Sequence, residues 1–489
     1  MQREPDPPER GGLRRYAANT AWLVVAEAAG KVASFAFVVI VARSLGTRDF
    51  GYFTFAISFV PLFLVFGGWG LASTVIREIA LDRSRLSEVF ATGIALRASL
   101  GLGGLALALA SGPLFLHGGQ AYGALAVLGT ALLLDELSAF LGTVFRAFER
   151  MKFHALVVLT NRILSTALAI IAVSLGAGLV VVCATYLVGS LGAFVFGAIA
   201  LRRYFPPIDF GQVRGSVARS LVRTGIPLGF AGVLNTAVFR IDTVLLQAIK
   251  GPVEVGLYGA AYRFFESLLF VAWSLGNAAL PRMARERRGP EVGRTYELTA
   301  VLSLAFYLPV ALTVPFSSDW LVTTLFSERY GDASSIVGVL TGAAALYALA
   351  YTARMGGIAL GRTKQIAAIA GVTLAANLVL NAIAIPRYGF KGAAWTTLAT
   401  EALEAALLTA FFLRANGAFA RLRPLLVPIV ATAGLAALLV GASLKGPEAL
   451  LAAALAYPPA LLLSAALLAP DELRRLPAAL RGTQEAGTG

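Results

Sequence analysis

Charge is scarce in this sequence. Of 489 residues only 14% are Asp, Glu, Lys or Arg, against roughly a quarter in soluble domains, while 58% are hydrophobic and mean hydropathy is +0.76. That shortage excludes an ordinary water-soluble globular domain. Cysteine is almost missing: Cys183 stands alone, which excludes an intrachain disulfide and a cysteine-based zinc cluster. In its apolar run it fits a small packed hydrophobe. The two histidines, His117 and His154, lie in or beside connections at no metal-ligand spacing, so neither a metal nor another cofactor is expected. G-x-x-x-x-G-K-[ST], H-E-x-x-H and G-x-S-x-G are also missing, and with them P-loop ATP hydrolysis, zincin chemistry and the serine-hydrolase elbow. The chain is not expected to be an enzyme.

What it has is apolar length. Stretches of the roughly 17–25 residues that cross a bilayer as helix are predicted near 17–41, 52–74, 89–112, 122–145, 154–174, 179–200, 224–247 and 256–280. Six more follow near 298–316, 335–359, 366–385, 393–413, 424–443 and 449–469. The first is too long for the core of a cleavable signal and is expected to remain as an anchor. The 50 glycines suit close helix contacts, because small residues let backbones approach where lipid supplies no hydrophobic drive. No connection is long enough for a separate catalytic domain, so the helices themselves must carry the function.

Lysine and arginine set the orientation, since their bias between alternate loops decides topology. Twenty-eight of the 41 fall on the side carrying both termini. Seven fall on the other: Arg43, Arg48, Lys250, Arg329, Arg387, Lys391 and Lys445. Both termini are therefore predicted cytoplasmic, and the net charge of +14 belongs to the membrane surface rather than to nucleic acid.

An internal repeat organises the helices. Gly46, Gly51 and Arg77 recur 205 residues later as Gly251, Gly256 and Arg282, and Arg150 and Lys152 recur 212 later as Arg362 and Lys364. Six helices separate the copies, an even number, so each copy enters from the same side and the repeats are parallel. The fold expected is an all-α polytopic membrane protein of about fourteen transmembrane helices. An N-terminal six-helix bundle takes residues 1–206, a second takes 207–418, and two extra helices with a cytoplasmic tail take 419–489. Two parallel bundles around a central cavity suit alternating access.

Charges inside the spans are the candidate site. Each costs roughly 2.5–3.5 kcal/mol at the bilayer centre unless it is paired or lines water. Lys31, Arg240, Arg263 and Arg354 are candidates for a cationic lining that receives a phosphate-bearing substrate. Glu27, Asp242, Glu266, Glu401 and Glu404 either pair with these cations or hold a coupling proton or sodium ion. Glu27 and Lys31 at i, i+4 and Arg263 and Glu266 at i, i+3 share helix faces and can bridge locally, whereas Arg240 and Asp242, two apart, point to nearly opposite faces. Asp135 and Glu136 are further intramembrane acids, and Arg97 and Arg162, toward cytoplasmic ends, are expected to snorkel to the head groups.

Three passages resemble a known family. They are Ala42-Arg43-Ser44-Leu45-Gly46 with Phe50-Gly51-Tyr52; Gly70-Leu71 with Arg77-Glu78-Ile79-Ala80; and Arg240-Ile241-Asp242 leading to Gly256-Leu257-Tyr258 and Arg263. In that order and at those helix ends the chain resembles the polysaccharide transporter family of flippases, relatives of the lipid II flippase and of multidrug extruders. The resemblance implies a bacterial inner-membrane protein that moves an undecaprenyl-pyrophosphate-linked oligosaccharide from the cytoplasmic to the outer leaflet, for O-antigen, capsule or exopolysaccharide. The partners it implies are the lipid-linked oligosaccharide and membrane lipids, with a polysaccharide polymerase and glycosyltransferases beside them. A multidrug extruder or a lipid II flippase is the nearest alternative. A membrane glycosyltransferase or polymerase would need acids at the membrane surface, for which only Asp319, Glu328 and Asp332 offer themselves.

Overall fold

The computed structural model describes residues 11–68, 70–286, 289–417 and 423–469, with no strand among them. Thirteen α-helices follow one another among the described residues: α1 Gly11–Leu64, α2 Leu71–Leu81, α3 Leu86–Ser111, α4 Gly119–Ala147, α5 Met151–Ser174, α6 Leu179–Tyr204 and α7 Gly215–Lys250. Then come α8 Pro252–Glu286, α9 Pro290–Phe326, α10 Ser334–Ala359, α11 Thr363–Asn416, α12 Leu426–Gly441 and α13 Gly446–Leu468. The two tails, including the C-terminal cytoplasmic tail expected from sequence, lie outside the described residues.

Helices α1 and α11 have 54 residues each. A straight helix of that length would run about 81 Å, more than twice the roughly 30 Å hydrocarbon core. Each instead turns at one glycine, Gly46 (φ 73°, ψ 175°) in α1 and Gly389 (φ 59°, ψ −137°) in α11, backbone angles that a Cβ makes costly. Twelve helices among the described residues are long and apolar enough to cross a membrane. Two of them contain these corners and carry two legs each, which gives the fourteen legs expected from sequence. The loops expected at 42–51 and 386–392 are therefore single-residue corners. The second leg also breaks where Gly70, in the left-handed region (φ 65°), precedes α2.

The chain divides into two compact units, Met1–Gly256 and Leu257–Gly489. In the first, α2 lays Leu71, Val75 and Ile79 against Phe90 of α3 and Phe140 and Val144 of α4. In the second, α12 and α13 pack through Leu435, Leu439 and Tyr457 on Leu312 and Phe316 of α9, and the Ser317 hydroxyl donates to the Gly446 carbonyl at 2.7 Å. The end of α11 is tied to the α8–α9 turn by Asn416, whose amide donates to the Gly289 carbonyl and accepts from its N–H, both at 3.0 Å.

The repeat is visible in the turns. Gly46 and Gly251, 205 apart, both take positive φ (73° and 87°). At offset 212, Glu149 (φ 56°) matches Gly361 (φ 72°), and the helix ends close with the same bonds: Arg150 N–H to Phe145 carbonyl at 2.8 Å, Arg362 N–H to Gly357 carbonyl at 3.0 Å. These are Schellman-type closures, which satisfy the last carbonyls of a helix. A reciprocal contact joins the equivalent corners within the first unit. A Cβ on Gly51 would lie 1.8 Å from the Pro252 carbonyl oxygen, and one on Gly256 would lie 2.0 Å from that of Thr47. Thr47 and Pro252 are themselves 205 apart.

Candidate functional site

Residues exposed along a span report what the helix faces. On α6 they are Val181, Val188, Leu191, Val195 and Ile199, as hydrocarbon requires. On α8, between Gly259 and Leu280, the exposed positions are Ser267, Ser274, Asn277 and Ala278, and the partly buried Arg263 and Glu266 flank them. Their spacings of three, four and seven residues put them on one helix face, with Phe270 and Val271 in the gap between Ser267 and Ser274. An uncompensated amide or hydroxyl in hydrocarbon costs several kcal/mol, and non-apolar faces in membranes are tolerated where they border protein or a water-filled path. The α8 stripe is the candidate wall of a polar pathway.

Beside it in the second unit stands a buried cluster between α10 and the second leg of α11. Arg354 forms an ion pair with Glu404, and its guanidinium lies 5.8 Å from the ring centroids of both Tyr347 and Tyr351. Those rings stack on each other at 5.8 Å. Trp273 of α8 donates its indole N–H to the Tyr347 hydroxyl at 2.7 Å, and the Tyr351 hydroxyl donates to Asn277 at 3.4 Å, joining the cluster to the stripe. Glu401, one turn before Glu404, is equally buried. Arg263 and Glu266 pair along α8, as their spacing allows. The Arg263 Nε is buried and has no hydrogen-bond partner among the described residues.

The other sequence candidates lie in the first unit. Lys31 is exposed on α1; on α7, Arg240 is partly buried and Asp242 is 4% exposed. Glu27 is on α1, but its side chain lies outside the described residues. Two of the four candidate cations, Arg263 and Arg354, thus hold carboxylates on their own unit, which cancels much of the charge they would show a substrate.

Arg97 and Arg162 do not behave as expected. Arg97 is 9% exposed and pairs with Glu136 across α3 and α4, a carboxylate supplied by the facing helix. Arg162 donates to the Tyr186 hydroxyl at 3.2 Å, which in turn donates to Asp135 at 2.8 Å. Asn161 donates to the other Asp135 oxygen at 2.5 Å and to Ser190 at 3.0 Å. Sequence reasoning named the charges of this network but not its neutral members. Two adjacent acids facing two cations in one half of the chain was the available signal. Tyr186→Phe removes the hydroxyl that bridges Arg162 to Asp135. It is expected to cost about 1–2 kcal/mol, read as a lower melting temperature of the purified protein in detergent. Unchanged melting would mean that the bridge carries no stability.

Comparison with known proteins agrees with this architecture. The family described as polysaccharide biosynthesis protein matches residues 16–286, and the MatE family matches 227–383. The chain is 25% identical over 423 residues to a putative O-antigen transporter of Shigella flexneri, covering 81% of this chain and 97% of that protein. It is 24% identical over 339 residues to the succinoglycan biosynthesis transport protein ExoT of Rhizobium meliloti (strain 1021), covering 66% of this chain and 65% of that protein. Among solved structures, the lipid II flippase MurJ in an inward closed conformation superposes with a TM-score of 0.76 at 15% identity, over 92% of this chain and 99% of that one. An inward-facing multidrug resistance MATE family transporter of the MOP superfamily gives 0.66 at 15%, over 79% and 95%.

Proposed function

This chain belongs to the polysaccharide biosynthesis protein family, and from that premise we propose that it is a transporter of the MOP superfamily, not an enzyme, which flips an undecaprenyl-pyrophosphate-linked oligosaccharide from the cytoplasmic to the outer leaflet. The observation that carries the reading is the polar stripe of α8, a candidate wall for a hydrophilic head group. The likeness to the succinoglycan transport protein and to the putative O-antigen transporter supports the substrate class. In this reading the bundles 1–206 and 207–418 alternate access, 419–489 flanks them, and both termini are cytoplasmic in a bacterial inner membrane. In the same reading glycosyltransferases act before it and a polymerase after it.

Lys31, Arg240, Arg263 and Arg354 are the proposed pyrophosphate cations. For Arg263 and Arg354 to serve, Glu266 and Glu404 must give way, either displaced by the substrate or neutralised by a coupling ion. Asp242, Glu401 and Glu27 are the further acids proposed for that coupling. Deleting the gene is expected to abolish surface polysaccharide while lipid-linked oligosaccharide accumulates on the cytoplasmic leaflet, and Lys31→Gln with Arg240→Gln is expected not to restore export at normal protein level. Full export by that variant would remove those two cations from the site. The MatE match over 227–383 favours a second reading, a multidrug extruder, for which drug hypersensitivity with normal polysaccharide is the distinguishing result.

A further inference from the structure

One end of the first unit carries a cluster that the transport reading does not use. The end of α4, the start of α5 and the end of α6 meet there around Phe205, whose ring lies 5.0–5.6 Å from those of Phe145, Phe148 and Phe153. Tyr204 stacks on Phe153 at 5.1 Å. Four cations lie over this aromatic bed: Arg83 on Phe148 at 5.0 Å, Arg150 on Phe205 at 5.3 Å, Lys152 on Phe153 at 5.1 Å and Arg203 on Tyr204 at 5.8 Å. Arg150 is also fixed by donating to the Tyr204 carbonyl at 2.8 Å. All four are exposed, and none forms an ion pair among the described residues.

Two carboxylates of the neighbouring connections keep their charge but are held by neutral groups rather than by these cations. Asp82 accepts from the Ser84 hydroxyl and N–H, which hold its carboxyl below the usual range. Asp209 accepts from Gly211 and Gln212 of its own turn. Glu149 adjoins Arg150 in the chain, and Glu78 and Glu88 nearby pair with Arg77, Arg85 and Arg214.

The manner of holding is informative. A carboxylate partner positions a cation and cancels its charge, whereas an aromatic face positions it and leaves the charge to act. Arginine also keeps its planar donor fork, which matches phosphate oxygens. The cluster lies at the ends of candidate membrane spans, the part of a span where aromatic side chains mark the membrane–water interface and clustered Lys and Arg attract anionic lipid.

We propose that this end of the first unit is a docking surface for the phosphate head groups of anionic phospholipids. The occupant is a bilayer lipid rather than a soluble anion, because the cations sit where head groups are and because their aromatic supports continue into the apolar spans.

Native mass spectrometry of the full chain in detergent, with palmitoyl-oleoyl phosphatidylglycerol and the matching phosphatidylcholine, tests this. Wild type is expected to retain phosphatidylglycerol preferentially, undisturbed by millimolar inorganic phosphate. The variant R150Q/K152Q/R203Q is expected to lose more than about ten-fold of that preference, and Lys152→Gln alone about five-fold. The single change, at an exposed position, decides the matter should the triple variant not fold. R387Q/K391Q, outside the cluster, is expected to leave the preference unchanged. The proposal is overturned by a wild type without preference, by a Lys152→Gln protein that keeps it in full, or by an equal loss in R387Q/K391Q. Tighter retention of undecaprenyl phosphate than of phosphatidylglycerol would place the cluster on the substrate's path and overturn it as well.

Discussion

Gly256→Ala is expected to remove most of the folded protein, and Gly51→Ala to do the same. At Gly256 an added Cβ lies 2.0 Å from the Thr47 carbonyl oxygen, 2.9 Å from its carbon and 3.2 Å from its Cα. At Gly51 it lies 1.8 Å from the Pro252 oxygen and 2.6 Å from its carbon. Every atom met is backbone, so no side chain can swing aside, and one of the two helix ends must move. Overpacking a site whose neighbours are side chains costs about 1–3 kcal/mol; here the cost is expected at or above the top of that range. The measurement is thermal unfolding of a fluorescent fusion by size-exclusion chromatography. Gly232→Ala and Gly371→Ala, where a Cβ meets nothing within 4 Å, serve as controls and are expected to melt like wild type. Wild-type melting of both Gly51→Ala and Gly256→Ala would show that the reciprocal corner contact is not made. The repeat adds a stricter expectation: because the contact is reciprocal, the two alanine variants should fall together.

That contact shows how much of the molecule the sequence contained and what it withheld. The pairing of Gly46 and Gly51 with Gly251 and Gly256 is readable as spacing, and hydropathy is enough to place fourteen apolar legs. Neither discloses that the matched glycines touch each other's corners, because a close backbone approach leaves no mark beyond the glycine itself. Hydropathy also draws loops at 42–51 and 386–392, where Gly46 and Gly389 turn the chain in one residue; the scale registers polarity, and a corner needs only a positive φ. Intramembrane charges were legible because lipid makes them costly. Their partners were not: Arg97 reaches Glu136 over 39 residues of sequence, and Tyr186 and Asn161, which complete the Asp135 network, are ordinary residues in apolar runs. Arg263 with Glu266 was legible since both sit on one helix face, while Arg354 with Glu404 depends on two helices meeting.

Whether Arg354 serves the substrate or only its carboxylate is decided by a double-mutant cycle. Arg354→Leu leaves the Glu404 carboxylate, 3% exposed as a residue, without its cation, and is expected to cost about 3–5 kcal/mol. Glu404→Leu strands the guanidinium and is expected to cost a similar amount, reduced by what the Tyr347 and Tyr351 rings return to the cation. R354L/E404L removes both charges of the pair and the desolvation penalty of the pair itself, leaving Glu401 as the buried acid beside it, and apolar replacement of a buried pair is often neutral or stabilising. Its stability is therefore expected within about 1 kcal/mol of wild type, and the coupling between the sites is expected to exceed that measured for hydrogen bonds between membrane helices. A double variant as unstable as either single one would mean that the two side chains do not act as a pair. The same protein then separates the roles of Arg354. If the pair only joins α10 to α11, the stable double variant restores surface polysaccharide in the deletion strain. If Arg354 receives a phosphate once Glu404 releases it, the double variant folds, reaches the membrane at normal level and fails to export, because stability is recovered by removing charge and recognition of an anion is not.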